Sequence, residues 1–325
     1  MHSRLSCRRA VISFLSAALF IAPIATWAQS DKPIRIIVPL AAGSTVDAVA
    51  RALTPGFGKS TGHPVIVDNV VGAGGIPGTG QLVKAPKDGL TLGMISSNHV
   101  INPGIYKSIP YDSLKDITPI AVIATVPLVL VVHPSVPAKD VKELIALAKA
   151  KPGTLNYGSA GNGSTLHLAA ELLRSETGID IKHVPYRGTG PLLTDLIGGQ
   201  VQMGFISISQ VAAQVKAGQL RALAVSTTDR SPALSDVPTM AQAGVPKYAF
   251  DAWISMVGPA GLPKPIVDSY YAALKSVIAS TEVQRTLEGQ GLMAMNVGPE
   301  AAPAFFQAEL MKHQKLVKQS GATLD

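Results

Sequence analysis

Two short stretches carry residue types that could bind an anion without any cationic side chain: Val38-Pro39-Leu40-Ala41-Ala42-Gly43-Ser44-Thr45 and Tyr157-Gly158-Ser159-Ala160-Gly161-Asn162-Gly163-Ser164-Thr165. Each reads as a buried strand that ends in a small, hydroxyl-rich turn and opens a helix. The first N–H groups of a helix have no internal partner and sit at the positive end of its dipole, so a carboxylate or phosphate placed there gains several hydrogen bonds. Glycines at 43, 158, 161 and 163 let the backbone approach a ligand closely, and the serines and threonines beside them supply short donors. For any one residue a plainer reading stands beside this one: Ser44 and Ser164 are helix N-caps and the glycines form turns. Two such turns, far apart in the chain, together point to two lobes gripping one anion.

Other polar residues are candidates of the second rank. Asp47, one turn into its helix, either caps free N–H groups or accepts from a ligand hydroxyl or water. Arg187, between Tyr186 and Gly188, either pairs with a carboxylate or lies on the surface. Asn98 and His99 follow an apolar run, at the carboxyl end of a strand where ligands gather in open α/β sheets. His167 lies a turn inside the second helix and reads as packed within its lobe, with a ligand role as the alternative.

Enzyme motifs fall short. Tyr157-Gly158-Ser159-Ala160-Gly161 has tyrosine where an esterase nucleophile elbow needs glycine, although the strand-turn-helix context matches. Gly58-Lys59-Ser60 mimics the end of a phosphate loop, but Leu53 occupies the place of its earlier glycine, and Gly72-Ala73-Gly74-Gly75-Ile76-Pro77 lacks the last glycine of a dinucleotide fingerprint. None of the seven histidines is paired on one helix face or accompanied by clustered carboxylates. The expectation is a binding protein with no cofactor and no metal rather than an enzyme. A hydrolase using Ser159 and a sensor docking on a membrane signalling partner stand as rivals.

The elements that must hold these turns follow from the apolar pattern. Runs short enough for buried strands (34–38, 65–67, 90–95, 121–132, 201–206, 220–225) alternate with helically spaced segments (46–53, 141–150, 166–175, 191–197). Such alternation predicts an α/β protein with mostly parallel sheets covered by helices on both faces. The long run 121–132, interrupted by Pro127, and the extended stretch 248–258 read as two crossings between lobes. Residues 29–128 and 251–325 then form lobe 1, with the C-terminal helices coating its sheet, and 129–250 form lobe 2.

Arg4, Arg8 and Arg9 precede an apolar run over 10–23, and Thr26-Trp27-Ala28 offers small residues for cleavage, so residues 1–28 read as a secretory signal. The pair Arg8-Arg9 also weakly resembles a twin-arginine signal. Cys7, the only cysteine, falls in that segment, which leaves the expected mature chain without a thiol. Without the signal, 25 basic residues face 21 acidic ones. That mild excess, scattered and without interleaved aromatics, argues against a nucleic-acid partner. An aromatic content of 5% argues against a flat ring held by stacking.

Several motifs occur in the order found in one family. They are Pro33-Ile34-Arg35-Ile36-Ile37-Val38-Pro39-Leu40-Ala41-Ala42-Gly43-Ser44-Thr45-Val46-Asp47, then Val71-Gly72-Ala73-Gly74-Gly75-Ile76-Pro77-Gly78, Pro86-Lys87-Asp88-Gly89-Leu90, the 157–168 turn and helix, and Val184-Pro185-Tyr186-Arg187-Gly188. Over the expected mature chain the sequence resembles the tripartite tricarboxylate transporter receptors, often called Bug receptors. The resemblance implies a periplasmic, monomeric binding protein of the type II two-lobed α/β fold, with two crossing strands as hinge. It would close on a small organic acid and present it to membrane transporter subunits. It also implies ligand contacts from Ala42, Gly43, Ser44 and Asp47 in lobe 1, and from Ser159, Gly161, Asn162, Ser164 and Thr165 in lobe 2, with Arg187 added from the residues alone. Two departures bear on the ligand. Ser44 stands where a second glycine is common. Gln202 and Ile206 stand where many members carry aspartates, which disfavours an ammonium-bearing ligand.

Overall fold

Proline cannot donate to a strand ladder, and at Pro127 the chain leaves one sheet for another. The computed structural model describes residues 32–322, so the expected signal segment and its cleavage site lie outside the described residues. In chain order the elements are β1 (Ile34–Val38), α1 (Thr45–Thr61), β2 (Val65–Asn69), α2 (Ile76–Leu82), β3 (Thr91–Ser96), α3 (Asn98–Ile105), β4 (Ile117–Val126) and β5 (Leu128–Val132). Then follow α4 (Val141–Ala150), β6 (Asn156–Ser159), α5 (Thr165–Thr177), β7 (Lys182–Pro185), α6 (Thr189–Ile197), β8 (Met203–Ser207), α7 (Ile208–Lys216) and β9 (Arg221–Val225). The chain ends with β10 (Ala252–Pro259), α8 (Lys264–Ile278), α9 (Thr281–Gly289), β11 (Met293–Val297) and α10 (Ala302–Ser320).

Lobe 1 carries the six-stranded sheet β11-β4-β10-β3-β1-β2, and lobe 2 the five-stranded sheet β7-β6-β8-β5-β9. The fold is therefore a two-lobed α/β fold, but both sheets are mixed rather than mostly parallel. In lobe 1, β1 pairs parallel with β2 and β3, whereas β10 runs antiparallel to β3 and β4. In lobe 2, β6 pairs parallel with β7 and β8, and β5 runs antiparallel to β8 and β9. The antiparallel strands β4, β5 and β10 are the ones that flank the crossings. A strand arriving from the other lobe enters its sheet without the βαβ connection that forces parallel pairing. The second crossing lies at Asp251: Phe250 N–H donates to Ser226 O of lobe 2, while Trp253 O accepts from Ser97 N–H of lobe 1.

Alternating side chains of β1 show why the sheet is covered twice. Ile36 and Val38 join the core under α1 and α8, and Ile37 joins the core with Trp253 and Phe306 on the opposite face. Helix α10 departs from its expected place. Its buried stripe Phe306, His313, Leu316 and Val317 recurs at helical spacing. The Phe306 end packs in lobe 1, but Leu316 and Val317 belong to the core of lobe 2. The C-terminal helix thus lies across both lobes instead of coating one. Among the described residues no helix is long and apolar enough to cross a membrane.

Candidate functional site

The two turns are built to one plan. Gly43 and Gly163 take φ of +79° and +70°, a region open to glycine at no steric cost. The next residues, Ser44 and Ser164, are N-caps with φ/ψ of −67°/159° and −65°/156°. Ser44 Oγ accepts the Asp47 N–H and Ser164 Oγ accepts the His167 N–H, both at 3.3 Å. A return bond closes each turn: Gly43 N–H donates to Asp47 Oδ2 (2.9 Å), and Gly163 N–H donates to His167 Nδ1 (3.0 Å). The serine N–H groups bond back to Ala41 O and Gly161 O. What remains pointing forward are the N–H groups that open α1 and α5, which have no acceptor within their helices.

Beneath the first turn Asp47 is buried and saturated. Besides Gly43 it accepts from Arg51 Nε (3.0 Å) and from Asn69 Nδ2 (2.9 Å). Burial pushes its carboxyl up, but the hydrogen bonds from Arg51, Gly43 and Asn69 outweigh that and hold it below the ordinary carboxylate range.

Beneath the second turn lies a buried aromatic and polar cluster. His167 stacks on His183 with ring centroids 4.0 Å apart, and His183 stacks on Tyr157 at 4.9 Å. Tyr157 donates to Glu171, which also receives Arg174 Nη1. Burial drives both imidazoles down to about 4, so they are neutral at neutral pH. Ser159 Oγ sits 2.6 Å from His183 Nε2, within reach of a base, but Ser159 is fully buried and its hydroxyl also bridges the N–H and C=O of Gly161. A pair closed to substrate and tied into the turn braces the backbone rather than attacking an ester.

Between the lobes lies a cavity of about 310 Å³. Residues 160–164 of the second turn form one wall, and Gly74, Asn98, Asn102, Ile105 and Tyr106 of lobe 1 form the other. Every one of these side chains is uncharged. Helix α3 supplies Asn98 and Asn102 one turn apart on one face, and Tyr106, its extended C-cap residue, completes the wall. Pro103 inside α3 lacks the N–H that would bond His99 O, and Ser113 Oγ donates there instead (2.8 Å). Asn102 Nδ2 donates to Gly74 O (2.7 Å), and a β-carbon at Gly74 would meet Asn102 Oδ1 at 2.7 Å, so glycine is required for α3 to approach. A larger hollow of about 500 Å³ between α1 and α8 lies on the surface of lobe 1 alone.

The residues singled out from the sequence divide accordingly. Gly161, Asn162 and Ser164 line the cavity, together with Asn98. Ala42 and Gly43 are exposed and Ser44 half-buried on the first turn, and neither they nor Asp47 line the cavity in this conformation. Ser159 lies under the second turn, Thr165 opens α5 just behind it, and Arg187 is exposed outside the cavity. His99 is buried with Nε2 on Ser113 O (2.8 Å). Gly74, Asn102, Ile105 and Tyr106 are additions of the structure: Gly74 belongs to the glycine-rich 71–78 motif, and Asn102 follows Asn98 at one helical turn, a weak signal that Pro103 obscures. Among the described residues no group of three or more His, Cys, Asp or Glu could hold a metal ion.

Residues 49–322 match the family described as Tripartite tricarboxylate transporter family receptor. The chain is 34% identical to Protein BugT of Bordetella pertussis over 313 residues, 96% of each chain. Among solved structures it is similar to R. palustris Rpa4515 with adipate, at 34% identity and TM-score 0.80, covering 90% of this chain and 98% of that one. It is also similar to MatC from Rhodopseudomonas palustris with bound malate, at 29% identity and TM-score 0.76, covering 88% and 98%. The chain belongs to the tripartite tricarboxylate transporter receptor family.

Proposed function

We propose, with membership of that receptor family as the premise, that this chain is an exported receptor which captures a small carboxylate-bearing metabolite between its lobes. It hands the acid to a tripartite tricarboxylate-type membrane transporter. The observation that carries this reading is the uncharged interlobe cavity, whose lobe 2 wall is the turn opening α5. Forward-pointing N–H groups at the positive end of a helix favour an anion, and a wall without acids or bases selects by hydrogen bonding and fit rather than by ion pairing. The adipate and malate bound by the two relatives supply the chemical class.

The proposed site comprises Gly161, Asn162, Ser164 and Thr165, with Ala42, Gly43 and Ser44 reaching the ligand from lobe 1 and Asp47 and Ser159 bracing the two turns. Arg187, exposed outside the cavity lining, would reach a carboxylate only from solvent. Residues 29–128 with 251–325 and residues 129–250 are taken as the two lobes, and residues 1–28 as the export signal. The receptor acts as a monomer in the periplasm. Closure is the signal to the transporter: ligand contacts from both walls favour the shut geometry, shifting an existing equilibrium.

A thermal-shift screen against adipate, malate and other organic acids tests the reading, since a ligand at 100 times its dissociation constant stabilises by about 2.7 kcal/mol. Acids should raise the melting temperature, and Ser164→Ala should weaken the shift. A neutral sugar that stabilises where no acid does would overturn it.

A further inference from the structure

The two turns share every backbone bond and differ in the group that closes them. In lobe 1 that group is the carboxylate of Asp47, 2.9 Å from the Gly43 nitrogen. Arg51 offsets its charge from a half-exposed side chain, where solvent weakens the offset. In lobe 2 the group is an imidazole. Because Nδ1 of His167 accepts the Gly163 N–H, the ring's proton is on Nε2, which faces Glu171 Oε1 at 3.9 Å. The other groups facing the ring are His183 of β7, stacked on it, Tyr157 of β6, and Arg174, which Glu171 already holds. A buried ring in these surroundings stays neutral. The cavity, independently, touches residues 160–164 and not 42–47.

We propose that His167 is a positioning residue for the ligand: its neutral imidazole holds the lobe 2 turn in the shape that receives a carboxylate, while the charge on Asp47 makes the lobe 1 turn the poorer seat. The ligand is then held with one carboxylate toward α5 and its other end toward Asn98, Asn102 and Tyr106, with Ala42, Gly43 and Ser44 as the weaker contacts from lobe 1. This inference rests on the carboxylate-receptor reading and adds an orientation to it. Lobe 1 itself demonstrates that an aspartate fits the closing position, since Asp47 and His167 stand at the same spacing from their glycines.

The test is calorimetric titration of adipate and malate, at pH 8, into the wild type, His167→Asn and His167→Asp, each checked for folding by circular dichroism. His167→Asn keeps a neutral acceptor and should bind within about fivefold of the wild type, the size of one helix-terminus interaction. His167→Asp keeps the acceptor but adds a buried negative charge behind the seat, and should weaken the acid by about tenfold or more. Equal binding by His167→Asp and His167→Asn overturns the proposal while leaving the receptor reading intact. If the wild type binds neither these acids nor any other in the thermal screen, the receptor reading fails and takes the proposal with it. Nitrogen-15 NMR of the unliganded wild type decides independently of any variant's folding: a proton on Nε2 of His167 is expected, and one on Nδ1 overturns the inference.

Discussion

At the scale of single residues, the supports under the turns carry more of the energetics than the turn residues themselves. Replacing Asp47 by alanine removes the acceptor of the Gly43 N–H and of Arg51 Nε, while the Asn69 amide keeps Leu40 O and Arg51 Nη2 keeps Asn69 Oδ1. With the turn's closing acceptor gone and the other partners kept, Asp47→Ala should lose about 1–2 kcal/mol in urea unfolding, whereas Asp47→Asn loses less. The histidine pair gives a pH signature of known sign. Both rings are held at about 4, against an ordinary value of 6.5, so the unfolded chain binds more protons between those limits. Stability should therefore be complete above about 6.5 and decline as the pH falls toward 4. The carboxylate of Asp47, shifted the other way relative to its charged form, withdraws its contribution only below the ordinary carboxylate range. His183→Gln keeps a donor near Ser159 Oγ and removes one titrating ring, so urea midpoints at pH 7.5, 5.5 and 4.5 should show a visibly shallower decline.

At the scale of elements, the two glycines of matching geometry make a controlled comparison. A β-carbon on Gly43 would touch nothing within 4 Å, so Gly43→Ala carries only the left-handed backbone cost, about 1–2 kcal/mol. A β-carbon on Gly163 would meet Ile105 of α3 at 2.7–2.9 Å, across the cleft. Gly163→Ala should therefore cost the same in backbone strain and in addition oppose closure. Its thermal stability without ligand should fall about as far as that of Gly43→Ala, while its acid affinity drops by about tenfold more. Equal loss of affinity in both variants would mean that the contact with Ile105 has no bearing on closure. This contact also marks the boundary of what the sequence reveals. The Gly-Ser-Thr turns, their N-caps and the broken run at Pro127 were legible because each is fixed within a few residues. Beyond Asn98 the lobe 1 wall was not, because Asn102 and Tyr106 face the second turn only through long-range packing, and Pro103 disguises α3 as a loop. The His167–His183 stack was likewise invisible: the two rings come from a helix and an adjacent strand, and no spacing along the chain encodes their meeting.

At the scale of the whole molecule, three connections join the lobes: the chain at Pro127, the chain at Asp251, and α10 lying over both cores. The expected parallel sheets and the lobe 1 location of α10 failed for one reason. Local apolar pattern reports that a face is buried but not which lobe buries it. Leu316, nearly buried in the core of lobe 2, should when truncated to alanine cost about 2–4 kcal/mol, seen as a lower urea midpoint. The crossing at Asp251 holds a charge problem. Its Oδ1 is buried without a hydrogen-bond partner, burial raises its carboxyl to about 6 against the opposing pull of Lys312, and Glu309 and Asp229 add to the rise. A raised carboxyl means the folded state holds the proton more tightly than the unfolded chain, so its presence costs stability as the pH rises from the ordinary carboxylate value through 6. That trend opposes the histidine pair over nearly the same window, so the two partly offset each other. Asp251→Asn removes the ionisation while keeping the shape, and it touches neither the Phe250–Ser226 bond nor the Ser97–Trp253 bond that anchor the crossing. It should stabilise the protein by about 1–2 kcal/mol at pH 8 and by less than half of that at pH 4.5. Melting temperatures at the two pH values measure this directly, and a gain that is equal at both would mean that Asp251 never titrates in the folded protein.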